Sequence, residues 1–465
     1  MLYTAFILVC NNWCTLNIYQ LENIFWSGDS LKTHTSKLIL AMVLVLGIAH
    51  SFAVPLSAEP SKILVDTGHG GYPINQEKLS EFCDFAAENG FSVDFQDIKA
   101  VDTSQYVLVI SANPDITFSA EDIQTLTEYM TQGGTFFVTG SGNYKNRDHS
   151  EVTNPLLAAL HSTIRFNDDQ VADTKNNGKP YIPIFDTWNP HFLTASLSAI
   201  SLYSPQSLTS GEAYPLLLGN TTTFCENANA GSNTGISTTN STDSDTETGP
   251  TDTPSTPVVL LAVEHIGMGT LLVGGSWDLL SGLQYPGHTQ FVHALLHYIR
   301  NNPSVSTYAT TFQHATIYTG EHCRPEVDQK GADILSEILH PGESSTHTVI
   351  IGGPEVNPHC AQLIPYLPIP FKKDEYWYLH TDHKVYNQTH GIIAAITVNN
   401  HTFLIVAGLG GTGTTGAVAL LQHIQDYSLN LHYNAYGEAV LFCVSGDTNQ
   451  NGVQEPTEQW KISIL

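Results

Sequence analysis

Short β-branched runs alternate with amphipathic stretches along most of this chain, and that alternation predicts an α/β fold. In the first part, Lys62–Asp66, Phe91–Asp94, Tyr106–Ser111 and Thr135–Thr139 read as strands. Between them, residues 76–89 and 119–132 carry apolar positions at helical spacing. Strands apolar on both faces and separated by helices imply a parallel, doubly wound sheet. Ser119-Ala-Glu-Asp122 is a helix-start pattern, with Ser119 available to accept an amide hydrogen bond, and Gly133-Gly134 is the matching stop. Val263–Ser276 reads as a hairpin and His288–Ile299 as the helix after it.

A second series begins after Asn301-Asn302-Pro303. Strands are expected over Thr316–Tyr318, Thr348–Ile351, Ile392–Val398 and Thr402–Gly408, with helices over 329–339 and 415–426. Ala439–Val444 and Trp460–Leu465 read as strands flanking a polar loop. The expected architecture is therefore α/β, with two doubly wound, mostly parallel-sheet domains and a C-terminal β extension. Its segments are a leader and signal peptide (1–58), a first domain (59–302), a second domain (303–440) and a strand, loop, strand tail (441–465). The Ser/Thr-rich tract 227–256 has no aromatic residue and low hydrophobicity, so it reads as a disordered, O-glycosylated insertion in the first domain.

The polar loop is chemically specific. From Asp447 to Glu458 it reads Asp-Thr-Asn-Gln-Asn-Gly-Val-Gln-Glu-Pro-Thr-Glu, the spacing of a calcium loop. Asp447, Asn449 and Asn451 would supply side-chain oxygens, Val453 a carbonyl, Glu455 a contact through water and Glu458 a bidentate carboxylate, with Gly452 at the sharp turn. The flanks are strands and not the helices of an EF-hand, so an Asn451-Gly452 hairpin turn is the competing reading.

Calcium at a weak site points outside the cell, and so does the N-terminus. Lys32 and Lys37 precede the apolar run Leu38–Ala49, and Ser51-Phe52-Ala53 follows as a small-x-small pattern, which predicts export with cleavage after Ala53 or Ala58. The run is shorter than the roughly 20 residues of a spanning helix, so a membrane link would come only from an uncleaved signal segment. Residues 1–30 lie upstream of this signal and read as a start assigned too early. Forty-four acidic against 17 basic residues give a formal charge of -27, which excludes nucleic acid as a partner and disfavours anionic lipid. Four glycosylation sequons begin at Asn220, Asn240, Asn387 and Asn400. Five of the seven cysteines follow the leader (Cys83, Cys225, Cys323, Cys360 and Cys443), an odd number that leaves at least one outside any intramolecular bridge; Cys323 with Cys360 is one pairing open to them.

The set Ile63-Leu-Val-Asp66-x-x-His69-Gly70, Tyr106–Pro114 and Tyr129-Met-x-x-Gly133-Gly134-Thr-Phe-Phe-Val138 resembles the class I glutamine amidotransferase-like fold, in its non-catalytic branch. That resemblance covers about residues 61–302. An active member needs a cysteine at a strand-to-helix elbow, and neither Cys83 nor Cys225 has that context, so the resemblance implies the fold without the activity. Asp66 and His69 fall at the carboxyl end of the first strand, where doubly wound sheets hold ligands. Ser141, in Thr139-Gly-Ser-Gly142 with Asp148 and His149 downstream, is the third candidate ligand-binding residue; for all three an ordinary turn is the competing reading.

Ile350-Ile-Gly352-Gly353-Pro354-Glu-Val-Asn357-Pro358, with Phe403–Gly408 and the Thr/Ala-rich stretch from Thr414 to Leu421, resembles archaeal surface-layer proteins over about residues 310–440. Gly408–Gly416 would cradle an anion on free amides, or simply make a tight strand-to-helix turn; it lacks the Gly-Lys-Ser/Thr ending of a phosphate loop. The functional expectation is an exported, acidic cell-surface protein that binds or builds, with calcium as structural cofactor and envelope proteins, surface-layer proteins or glycans as partners. The alternative is an extracellular hydrolase of carbohydrate or peptide using Asp66, Asp168 or Asp169.

Overall fold

The apolar runs pair as strands in a computed structural model that describes residues 61–71, 76–142, 150–226 and 257–465, apart from 284, 286, 302–303, 343, 345, 382–383, 387 and 450. The leader (1–58) and the Ser/Thr-rich tract (227–256) lie outside the described residues. In the first part the long strands are β1 (Ser61–Asp66), β2 (Phe91–Gln96), β3 (Tyr106–Ala112), β4 (Thr135–Thr139), β5 (Tyr214–Leu218), β6 (Val259–Ile266) and β7 (Gly269–Gly274). They belong to a 10-stranded sheet whose order runs β2-β1-β3-β4-β7-β6 before short strands complete it. β2, β1, β3, β4 and β7 are mutually parallel, and β6 returns antiparallel as the expected hairpin.

Helices cover both faces of this sheet. On one side α1 (Ser80–Glu88) and α4 (His288–Asn301) bring Phe82, Ala86, Phe291 and Leu295 against Ile63, Leu108 and Phe137. On the other, α2 (Ala120–Thr131) and α3 (Ser150–Ala159) bring Leu126, Met130, Leu156 and Leu157 against Leu64, Val109 and Phe136. The alternation of side chains along a strand produces this sorting directly: Ile63 and Leu64 face opposite layers. Ser119 and Asp122 form a reciprocal capping box at the start of α2, and Gly133 ends it at φ +93°.

The second sheet has seven strands. They are β8 (Thr316–Thr319), β9 (His347–Ile351), β10 (His390–Val398), β11 (His401–Gly408), β12 (Leu431–Asn434), β13 (Gly437–Ser445) and β14 (Lys461–Ile464), in the order β8-β9-β11-β10-β13-β12 with β14 also on β13. β8, β9 and β11 are parallel, as expected, but β10, β12, β13 and β14 make antiparallel pairs, so the sheet is mixed. The reason lies in a two-residue turn. Asn399 and Asn400 both adopt positive φ (52° and 61°) and fold β10 straight back onto β11, which asparagine tolerates better than most side chains. α5 (Lys330–Leu339) and α6 (Gly411–Gln422) cover one face. The short helix Pro358–Leu363 and the three-stranded sheet through Phe371 and Leu379 contribute to the other, where helices on both sides were expected.

Ser61–Leu465 forms one compact unit, and the boundary expected at 302/303 falls between its two sheets. Glu438 on β13 ties them: its carboxylate accepts the Val305 amide at 2.7 Å and lies 3.4 Å from His265 on β6. Around it Tyr433 packs against His191 and Tyr214, with ring centroids 4.7 and 4.9 Å apart. Burial among these rings pushes the His191 pKa down to about 3, aided by the charge of His265, so His191 is neutral.

The packing of β4 against α4 is directly testable. Phe137 is fully buried, with its ring centroid 6.3 Å from that of Phe291. Phe137→Ala should cost about 3–5 kcal/mol of unfolding free energy in a denaturant titration.

Candidate functional site

The carboxyl ends of the parallel strands define two polar edges. In the first sheet Asp66 closes β1 and accepts the Gly68 amide at 3.0 Å, which turns the chain so that His69 comes back onto it. His69 Nδ1 meets Asp66 Oδ2 at 2.7 Å, and Nε2 meets Asp122 Oδ2 at 3.2 Å. Lys99 Nζ reaches the same Asp122 oxygen at 3.2 Å, and the His69 ring stacks on Phe118 at 3.8 Å. Burial opposes charge on the ring, but the hydrogen bonds and charges of Asp66 and Asp122 outweigh it and raise the His69 pKa. For Asp122 burial again opposes ionisation, while Ser119, His69 and Lys99 together hold its pKa below the usual range. Asp66 and His69 thus come together as expected, but as the centre of a buried clamp between β1 and α2. His69 is 3% exposed.

Ser141 does not join them. It follows β4, which lies two strand positions from β1, about 10 Å across the sheet. Its suggested partners Asp148 and His149 lie outside the described residues. The acidic residues after β4 and α3, Asp169 of the hydrolase alternative and its neighbour Asp173, are each tied up separately. Asp169 is buried and accepts the Ser207 amide at 2.8 Å and its hydroxyl at 2.5 Å; burial raises its pKa. Asp173 is buried against Thr222 and Thr223 hydroxyls and the Asn220 amide; burial opposes its ionisation, but these donors prevail and lower its pKa. The Asn220 side chain is therefore already engaged inside the fold, whereas Asn400 sits in the exposed β10–β11 turn and the sequons at 240 and 387 fall outside the described residues. The five described cysteines are free. Cys360 is fully buried in the apolar layer behind β10, with burial pushing its thiol up to about 12, and forms no bridge to Cys323.

At the second sheet the four carboxyl ends Thr319, Ile351, Gly408 and Ser445 share one edge, and a cavity of about 320 Å³ opens there. Gly353-Pro354 after β9, Gly408–Thr412 after β11 and Asp447 after β13 line it. The stretch expected as a loop before a helix at 415 is helical from Gly411, since its glycines are packing contacts. A Cβ on Gly353 would overlap the Gly408 carbonyl oxygen, one on Gly413 would fall 2.8 Å from the Gly408 Cα, and one on Gly411 would overlap the Arg324 guanidinium. Arg324 and Asp328, from the segment between β8 and α5, and Trp377 complete the wall. These three carry no motif. Only the tertiary fold brings them to the glycines.

The calcium-type loop leaves the same edge. Asp447 Oδ2 accepts the Gly452 amide at 3.0 Å and the Thr412 hydroxyl of α6, while Oδ1 is buried without a partner. Asn449 and Asn451 turn their amide oxygens onto the backbone N–H groups of Asn451 and Val453, at 3.0 and 2.7 Å, and their NH₂ groups onto Glu455 at 3.2 and 3.1 Å. Gly452 takes φ +77°, as the sixth position of such a loop requires. Glu458 accepts from the Thr448 and Glu455 amides and the Trp460 indole. The orphaned Asp447 oxygen fits a cation; the Glu458 carboxylate already closes the loop on protein donors. Among the described residues no group of three or more His, Cys, Asp or Glu is gathered as a metal centre, so a cation here would depend on amide and carbonyl oxygens too.

No family model matches the chain, and no curated protein does. Among solved structures it is similar to the mmIFT52 N-terminal domain at 14% identity and a TM-score of 0.39, covering 52% of this chain and 99% of that one. It is similar to the cytoplasmic protein STM1381 from Salmonella typhimurium LT2 at 15% identity and 0.32, covering 51% and 99%. A third is the beta-galactosidase from the haloarchaeon Halorubrum lacusprofundi, at 14% and 0.29, where this chain covers 51% of itself but spans 30% of the enzyme. These scores are low, and the α/β assignment stands on the strand pairings themselves.

The His69 clamp gives a pH signature with a definite sign. Its folded-state pKa lies above the ordinary 6.5, so its contribution is complete below that value and is lost as pH rises through the raised one. Urea titrations across that window should show the wild type losing an increment that His69→Gln never has. The substitution itself should cost about 3–5 kcal/mol at acidic pH, where it removes the charge that Asp66 and Asp122 face.

Proposed function

We propose that this chain is an exported, non-catalytic binding protein of the cell surface, with a class I amidotransferase-like first half, a surface-layer-like second half and a calcium-stiffened tail. The observation that carries the reading is the convergence of Gly353, Gly408, Gly411 and Asp447 on one polar cavity at the edge where α/β sheets receive ligands. The export signal and the acid-rich composition support the extracellular setting. Envelope proteins, surface-layer proteins and glycans are the proposed partners. Cys83 lies within α1 and Cys225 on the short strand Thr223–Glu226, so neither stands at a strand-to-helix elbow. Among the described residues no helix is long and apolar enough to cross a membrane.

The hydrolase alternative needs two carboxyl groups in one open cleft. Asp66 and Asp169 are buried, each engaged by its own donors, in separate parts of the first half. The geometry favours binding.

Calcium is proposed on Asp447, Asn449, Asn451, the Val453 carbonyl, Glu455 and Glu458. Its chemistry there would be electrostatic clamping of the loop onto β13 and the first turn of α6. Calcium held at about 100 times its dissociation constant should stabilise the fold by about 2.7 kcal/mol. A chelator should lower the Tm accordingly, and Asp447→Asn should abolish the difference; a Tm indifferent to calcium in the wild type would remove the metal from this account.

Mass spectrometry with cross-linking on native cell envelopes tests the location and partners together. Peptides beginning after Ala53 or Ala58, a glycan on Asn400 and cross-links to envelope components are expected, while Asn220 should remain bare because its amide is bound within the fold. Recovery of the chain in the cytoplasm with residues 1–58 attached would defeat the proposal.

A further inference from the structure

Two polar features of opposite sign meet in the second-sheet cavity. The first is Arg324. Forty-four acidic residues outnumber 17 basic ones in this chain, yet among the described residues the Arg324 guanidinium makes no hydrogen bond or ion pair; its charge acts on the Asp328 carboxylate, and it lies over Gly411 at the first turn of α6. Gly411 is the first residue of a 12-residue helix whose N-cap, Gly410, offers no side chain, and the Gly411 amide has no acceptor among the described residues. A guanidinium beside such a helix start favours an anionic oxygen.

The second is Asp328. Its side chain is 1% exposed, and while Oδ2 accepts the Arg324 amide at 2.8 Å, Oδ1 finds no donor among the described residues. Asp328 thus keeps an oxygen able to accept from a group outside the chain, and two further atoms of the same wall, Asp447 Oδ1 and Trp377 Nε1, are buried without a partner among the described residues. Asp328 lines the cavity together with the exposed Glu355, and both call for a donor-rich, cationic group. Trp377 supplies ring surface beside them, with an indole N–H that has no acceptor among the described residues.

We infer that this cavity takes a free α-amino acid, its carboxylate held by Arg324 and the Gly411 amide and its ammonium by Asp328 and Glu355. Arg324 and Asp328 act on each other across the cavity, and a zwitterion keeps that balance of charge where a ligand of one sign would upset it. The volume, about 320 Å³, accommodates a single amino acid with room for a side chain along Trp377. The inference rests on the binding reading above and names the ligand for it.

Isothermal titration of the full mature chain tests it with a panel of free α-amino acids, their N-acetyl derivatives and their amides. At least one free amino acid should bind, and blocking either its ammonium or its carboxylate should weaken it by roughly tenfold or more, the scale of one charge-assisted contact. Arg324→Gln and Glu355→Gln, both at exposed positions, should each weaken it with no change in Tm, whereas Asp328→Asn alone would confound binding with the loss of the Arg324 turn. Binding by no free amino acid overturns the inference. So does an N-acetyl derivative or an amide that binds as well as its parent, the first marking a bare anion site and the second a bare cation site. A chain that cross-links to envelope components but binds no amino acid loses this inference and keeps the binding reading; a cytoplasmic chain that binds one does the reverse.

Discussion

Backbone-to-backbone contact at the carboxyl edge of the second sheet is the constraint on which the rest of that half depends. Gly353 lies against the Gly408 carbonyl, and Gly413 lies against Gly408 and the His390 carbonyl. With no side chain at these points, the turn after β9, the end of β11 and the start of α6 come close enough to form one floor. The cavity, the exposed guanidinium of Arg324 and the seat of the Asp447 loop all follow from that approach. A methyl group at Gly353 or Gly413 would separate the layers before it touched any ligand.

The two sheet edges use similar residues to opposite ends. At β1, Asp66, His69, Asp122 and Lys99 neutralise one another, and the ring stacks on Phe118. These paired charges hold β1 to α2, and the one oxygen they leave over, Asp122 Oδ1, is itself buried. At the second sheet Arg324, Asp328 and Asp447 line a cavity, and Asp447 Oδ1 and the Trp377 indole nitrogen lack a partner among the described residues. Position at a carboxyl edge is therefore a weak guide to function by itself. What distinguishes the edges is whether the polar groups face a cavity, as Arg324, Asp328 and Asp447 do, or are buried against one another, as Asp66, His69 and Asp122 are.

Much of the strand framework was legible because a period of two and β-branched composition act locally. β1, β3, β4, β9 and β11 lie within a residue or two of their expected bounds. The antiparallel half of the second sheet was harder to read, since its signal is a single Asn399-Asn400 pair whose positive φ values carry the information. The start of α6 was missed for a related reason: glycine has poor helix propensity, and only the tertiary contacts of Gly411, Gly413 and Gly416 explain its use there. Asp122 was readable as a helix-capping neighbour but not as a partner for His69, more than 50 residues away. Asp66 and His69 were found by topology, Asp447 by spacing, and Arg324 and Asp328 by neither, because no local pattern marks a residue that matters only after the sheet has closed.

Glu438 has a wider consequence. Its carboxylate is 3% exposed, holds the Val305 amide and faces His265 of the other sheet. Separating the halves near residue 303 would strip that anion of its partners and bare the Tyr433, His191 and Tyr214 rings to water. The halves are thus poor candidates for modular exchange. A domain swap or truncation at this seam would inherit an unpaired charge and an adhesive aromatic face, and heat should melt the intact unit in a single calorimetric transition.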